Sequence, residues 1–262
     1  MSSWTIETVD LTHAIPPGLC GALLGSEVAI VRVIGIPATL AAAALAEIGA
    51  ATVTTNTYSN ATLHTVGPYL ARGLSNLPDY FSRAGELDKV FGSQSADPRL
   101  VVRNAVRRAI GLTSLDPLRE LDGRRYAEAV VRLHRNGAAN PLHNDLIARD
   151  AASSGLRVAA AVGQLSAVYC LQECTAGGEL VHYRRQWRPE DERHKVAGRL
   201  GYNAAIVEGT PAATFRPQAN DLYVMDPRNY HEILPVSGRT RVTMGSFILT
   251  FEDEPSCGWS IA

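Results

Sequence analysis

A chain of 262 residues, 46% hydrophobic and with a formal charge of −1, holds enough apolar material for one sizeable core. This balance excludes a globally disordered chain and the basic footprint of a nucleic-acid binder. No apolar run reaches membrane-span length, and Met1 to Glu7 lacks the basic and apolar regions of a secretory signal, so the expectation is a cytoplasmic chain with no membrane partner.

In chain order, Val28 to Ile34 is an apolar run broken only by Arg32 and predicts a buried strand. Pro37 opens an Ala-rich helix that stops near Gly49, with Leu40, Ala44, Leu45 and Ile48 as its apolar stripe. Tyr58 to Gly67 is rich in Ser, Thr and Asn and reads as loop. A helix is expected over about Asp79 to Phe91, and another from the Asp97-Pro98 cap to Gly111. Residues 1–120 thus form a mixed and helical N-terminal elaboration.

Residues 121–262 change character, with short β-rich runs separated by Gly, Pro and Asn. Strands are predicted at Tyr126–Leu133, Gln164–Leu171, Glu179–Tyr183, Asn203–Val207, Ala213–Phe215, Asp221–Met225 and Arg241–Phe251. That spacing suggests a sandwich or barrel in an otherwise single domain. Gly177-Gly178 marks a tight connection. Arg184 to Arg199 is long and charged, and reads either as a solvated segment or as a cover over a site. Cys20, Cys170, Cys174 and Cys257 lack paired zinc spacing and read as reduced thiols.

His143 and Asp145 are separated by one residue, which on a strand places both on one face. Such a pair is common by chance. His231 adds a second imidazole, after the turn-forming Asp226-Pro227-Arg228-Asn229. Two imidazoles and one carboxylate on one face of an ion form the ligand set of non-haem Fe(II) oxygenases. The candidate metal ligands and catalytic residues are therefore His143, Asp145 and His231.

Arg241 begins an alternating run. Arg241, Thr243, Gly245 and Phe247 share one face, and Val242, Met244, Ser246 and Ile248 the other. An inward Arg needs a counter-charge. Fe(II) with one Asp carries one positive charge, which a 2-oxoglutarate dianion over-neutralises; one guanidinium restores balance and grips the distal carboxylate. Arg241 is the candidate anchor for this co-substrate, with Thr243 adding a hydroxyl and Arg239 as runner-up. Arg132 and Tyr126 are weaker candidates to touch the co-substrate. Tyr58, Asn60, His64 and Trp187 are candidates for pocket or cover. His182 and His194 are expected to be solvated.

With these residues in place, the chain resembles the Fe(II)/2-oxoglutarate-dependent oxygenases, and within them small stand-alone bacterial enzymes that tailor amino acids and natural products. The matches are His143-Asn144-Asp145, Gly177-Gly178-Glu179-Leu180-Val181, and His231 to Thr243 with its His, Val, Gly, Arg and Thr order. Gly67-Pro68-Tyr69-Leu70 and Asp79–Phe81 are similar to the helical prelude of a halogenase-related branch. The resemblance implies an α+β, mainly β fold: a double-stranded β-helix (jelly-roll, cupin-like) core with flanking N-terminal helices. It implies Fe(II), 2-oxoglutarate and O2 as cofactors, and hydroxylation of an unactivated C–H in a small-molecule substrate with release of succinate and CO2. In the halogenating branch Gly or Ala replaces the carboxylate; Asp145 retains it, which points to hydroxylation, desaturation or cyclisation. The alternatives are a cupin-like metal dioxygenase or isomerase without 2-oxoglutarate, and a non-catalytic β-sandwich binding module in which the three ligands do not converge. Substrate identity and oligomeric state stay open.

Overall fold

Two sheets facing one another carry the fold; the computed structural model describes residues 4–92 and 96–262. The larger sheet runs in the order Thr5–Asp10, Val28–Ile34, Leu222–Met225, Gly163–Gln172, Arg241–Phe251, Val130–His134, Thr62–Val66, Thr54–Thr57. Glu254–Ile261 pairs with the distal half of Arg241–Phe251 and brings in Ser114–Pro117. The smaller sheet orders Ala212–Phe215, Leu180–Gln186, Asn229–Ile233 and Asn140–His143, all antiparallel. This is the jelly-roll core with N-terminal helices that the resemblance implies.

Period-two alternation decides what each face of the larger sheet does. Leu165, Ala167, Tyr169, Leu171, Val242, Met244 and Ile248 point to the outer face and form one core with Val31, Val33 and Val224. The helices Leu19–Leu24, Thr39–Ile48, Glu86–Phe91 and Pro98–Ile110 cover that core. Pro98–Ile110 buries Val102, Ala105, Val106 and Ala109, the i, i+3, i+4, i+7 stripe of an amphipathic helix. The Asp97 side chain accepts from the Arg99 N–H at one end, and Gly111, at φ 74°, closes the other. The opposite face of the sheet, including Ser166, Val168, Arg241, Thr243 and Phe247, looks into a cavity between the sheets.

Five expectations change. Tyr58–Gly67 is not simply loop: Thr62–Val66 pairs with Thr54–Thr57 as a hairpin turning at Tyr58–Ala61, because its β-branched residues complete the sheet beside Val130–His134. The helix over 79–91 is two, Leu77–Arg83 and Glu86–Phe91, broken at Gly85, whose backbone at φ −92° and ψ 9° leaves the helical range. Asn203–Val207 is a 3-10 turn, not a strand, since the Asn203 side chain caps the Ala205 N–H. The strand expected from Tyr126 starts at Val130, because the N–H groups of Tyr126 and Ala127 go to the Leu118 carbonyl and the Tyr80 hydroxyl. Glu179–Tyr183 extends to Gln186, taking the start of the charged segment into the smaller sheet. Among the described residues, no helix is long and apolar enough to cross a membrane.

Candidate metal centre

His143, Asp145 and His231 converge: their ligand atoms all lie within 4.8 Å of one another. The smaller sheet brings them together. His143 and His231 are direct partners on neighbouring strands, with ring centroids 4.2 Å apart. Asp145 lies just beyond the Asn140–His143 strand, where its N–H bonds to the Pro227 carbonyl in the turn before His231. Asn144, between the two ligand candidates, is buried and accepts from Arg149 at 2.8 Å.

Hydrogen bonds fix both rings. The Nδ1 of His143 bonds to the Pro141 carbonyl at 2.8 Å, and the Nδ1 of His231 to the Asn229 carbonyl at 3.0 Å. A carbonyl only accepts, so each Nδ1 carries the proton and each Nε2 presents a lone pair. Those Nε2 atoms face Oδ2 of Asp145, at 3.8 Å from His143 and 3.6 Å from His231. Atoms that each bind one ion at about 2 Å sit roughly 3–4 Å apart, so the donor set fits a divalent cation. Burial, then the nearby His143 and His182, holds His231 well below the usual imidazole range, in the neutral form a metal requires.

Arg241 lies in the same cavity, 2% exposed. Its Nη2 donates to the Tyr223 hydroxyl at 3.2 Å, its Nε has no partner, and among the described residues it makes no ion pair. Isolating a guanidinium from water without a counter-charge is strongly unfavourable, so the site suits an anion. Thr243, also 2% exposed, sits two residues on along the same face, as alternation predicts. Arg239 is exposed and bound to Glu173, away from the cavity.

The cavity measures about 510 Å³. Tyr58 and His64 line it, as expected of pocket residues, and Arg132, a candidate to touch the co-substrate, lines it too. Asn60 exchanges two hydrogen bonds with Leu200, at 2.9 Å each, and so clasps the hairpin turn to the charged segment. Two candidates lie elsewhere. Trp187 stacks under Arg149, and Tyr126 is buried in the separate core around Tyr80 and Leu118, with its hydroxyl on Glu120. His182 is buried, not solvated: it flanks His231 in the smaller sheet, stacks on Trp4 at 4.7 Å and meets the carbonyls of Ala29 and Asp226. His194 is partly buried beside Arg193, outside the site.

No local sequence signal marks Tyr223, His134 or Asn140 as belonging to the site. Tyr223 occupies an inward position of a correctly expected strand, but its meeting with Arg241 depends on strand order. His134 is the cross-strand partner of Arg241. Burial first, then the charges of Arg241, Arg132 and His64, lowers its imidazole to about 3. Asn140 approaches Nε2 of His143 at 3.2 Å.

The model of the family described as carrier-protein-independent halogenase WelO5 matches residues 43–257. The chain belongs to that family. The WelO5 family is Fe(II)/2-oxoglutarate-dependent, with O2 as the further co-substrate. A curated relative, leucinostatins biosynthesis cluster protein S from Purpureocillium lilacinum, is 29% identical over 137 residues, 50% of this chain and 54% of that protein. The chain thus spans about half the length of the curated relative it matches. Among solved structures, an N-substituted L-amino acid dioxygenase from Burkholderia ambifaria AMMD has a TM-score of 0.62 at 17% identity, covering 95% of this chain and 92% of that one. A 2OG-Fe(II) oxygenase family oxidoreductase from Burkholderia pseudomallei has a TM-score of 0.50 at 15% identity, covering 94% and 95%. At these identities the likeness concerns the fold.

Proposed function

We propose that this WelO5-family chain is an Fe(II)/2-oxoglutarate-dependent dioxygenase that hydroxylates an unactivated C–H of a small molecule, releasing succinate and CO2. The observation that carries the reading is Asp145, whose carboxylate stands with the two Nε2 atoms within 4.8 Å in one cavity with the acid-free Arg241. A carboxylate in that position fills the coordination place a halide needs, so oxygen insertion is favoured over halogenation despite the family's name.

His143, Asp145 and His231 would hold the metal, and their carbonyl hydrogen bonds orient the rings. Arg241 would grip the distal carboxylate of 2-oxoglutarate, with Tyr223 and Thr243 beside it. Iron and 2-oxoglutarate together supply the oxidising power when bound. The protein positions the substrate and excludes water: Leu180, Met225 and Ile233 wall the metal end with apolar surface, and the Asn60–Leu200 clasp ties segments at the cavity wall. The similarity to a leucinostatin-cluster protein supports a role in natural product biosynthesis.

The test is a substrate panel scored by succinate, with product mass read in parallel. Succinate formed in step with a product one oxygen heavier supports the reading. A chlorinated product, or oxidation without 2-oxoglutarate consumption, overturns it.

A further inference from the structure

The cavity contains more positive charge than a metal and 2-oxoglutarate use. On the dioxygenase reading, the metal dication and the co-substrate dianion cancel, and Asp145 offsets Arg241. Arg132 and Arg72 line the same cavity, and among the described residues Asp145 is the one acid that lines it. Two guanidiniums are left over.

Arg132 is the informative one. It lies on Val130–His134, in register with Thr243 on one side and Thr65 on the other, so it faces the cavity. It is half-buried, and among the described residues its side chain has no hydrogen bond or ion pair. Its Nη1 rests over Gly245, 2.7 Å from where a Cβ would stand. The missing side chain at Gly245 is therefore a seat for the guanidinium. Val168, Phe247, Leu63, Leu74 and Leu200 make much of the surrounding wall apolar. Arg241 is almost fully buried, while Arg72 is exposed. The deeper arginine suits the co-substrate, which leaves Arg132 for a second anion.

We infer that the substrate is an amphiphilic small-molecule acid whose carboxylate Arg132 grips, with Arg72 adding positive charge. This rests on the dioxygenase reading. A planar guanidinium with unspent donors beside apolar walls binds a carboxylate on an apolar body, and rejects the neutral ester because the ester leaves the guanidinium uncompensated.

The experiment is calorimetric titration of N-octanoylglycine, and separately of its methyl ester, into protein loaded with Mn(II) and 2-oxoglutarate. The expected result is that the acid binds about tenfold or more tightly than the ester. Arg132→Gln should weaken the acid by roughly tenfold to a hundredfold, Arg132→Lys should restore part of that loss, and neither should move the ester. Gly245→Ala displaces only the end of a flexible side chain and should weaken the acid while the fold is kept. Equal binding of acid and ester, no binding of the acid, or an Arg132→Gln effect on 2-oxoglutarate instead of the acid would overturn the inference. Failure of the Mn(II) and 2-oxoglutarate complex to form is a distinct outcome: it removes the dioxygenase reading and this inference with it.

Discussion

Arg241 donates to the Tyr223 hydroxyl across 3.2 Å, and within the described residues this is the one side-chain hydrogen bond of a guanidinium that is 2% exposed. Burial pushes the Tyr223 phenol up, against the lowering effect of Arg241, so it stays protonated. It accepts from Arg241 through oxygen and keeps its own O–H for an anion at the same place. Arg241→Gln should therefore raise KM for 2-oxoglutarate by about a hundredfold, the loss expected for a charge-assisted pair. Tyr223→Phe should raise it about five- to tenfold, the value of one neutral hydrogen bond. Initial rates against 2-oxoglutarate concentration, at fixed Fe(II), check both.

Asp145→Gly removes the carboxylate that faces both Nε2 atoms. Hydroxylation should disappear, and Fe(II) affinity should fall by about tenfold or more. Metal titration and product analysis give the two readouts. Full hydroxylation by this variant is incompatible with the assignment.

Gly178 has φ 70°, and a Cβ there would meet the Cys174 sulfur at 2.7 Å and Arg241 Cδ at 3.4 Å. Gly178→Ala should cost about 1–3 kcal/mol of stability through the left-handed backbone and the clash. Arg241 Cδ at 3.4 Å is in ordinary contact, so KM for 2-oxoglutarate should stay within about twofold of wild type. Thermal denaturation measures the first effect and steady-state kinetics the second; a large rise in KM would show that the Gly turn also positions the anchor.

His134 gives a pH dependence of defined sign. Its folded pKa, about 3, lies below the ordinary 6.5, so the unfolded chain takes up the proton first as pH falls. Its contribution is whole above about 6.5 and is lost down to about 3, by as much as about 1.4 kcal/mol per pH unit in that window. Chemical denaturation of metal-free protein at neutral and mildly acidic pH should show a steeper loss for wild type than for His134→Gln. Equal slopes would contradict the neutral buried ring.

Much of this was legible because alternation is local. The face shared by Arg241, Thr243 and Phe247 follows from period two alone, and those residues do face the cavity while Val242, Met244 and Ile248 face the helices. The Asp97 and Gly111 signals likewise mark both ends of one helix. What local pattern lacks is pairing. Tyr223 and Arg241 meet because their strands both flank Gly163–Gln172, and no short-range signal encodes that order. His182 sits in a charged stretch that looks solvated, yet pairing with His231 takes it into the interior. Thr62–Val66 reads as loop because its Thr and His residues are polar, although the β-branching of Thr62, Thr65 and Val66 suits a strand that lines a cavity.

The central claim is that His143, Asp145 and His231 hold Fe(II) in one cavity with 2-oxoglutarate on Arg241. The most direct test is the anaerobic absorption spectrum of the protein with Fe(II) and 2-oxoglutarate. A visible charge-transfer band should appear when both are present, vanish in His231→Ala, and require far more 2-oxoglutarate in Arg241→Gln. A wild-type protein that shows no band, or a band unchanged by His231→Ala, would contradict the account.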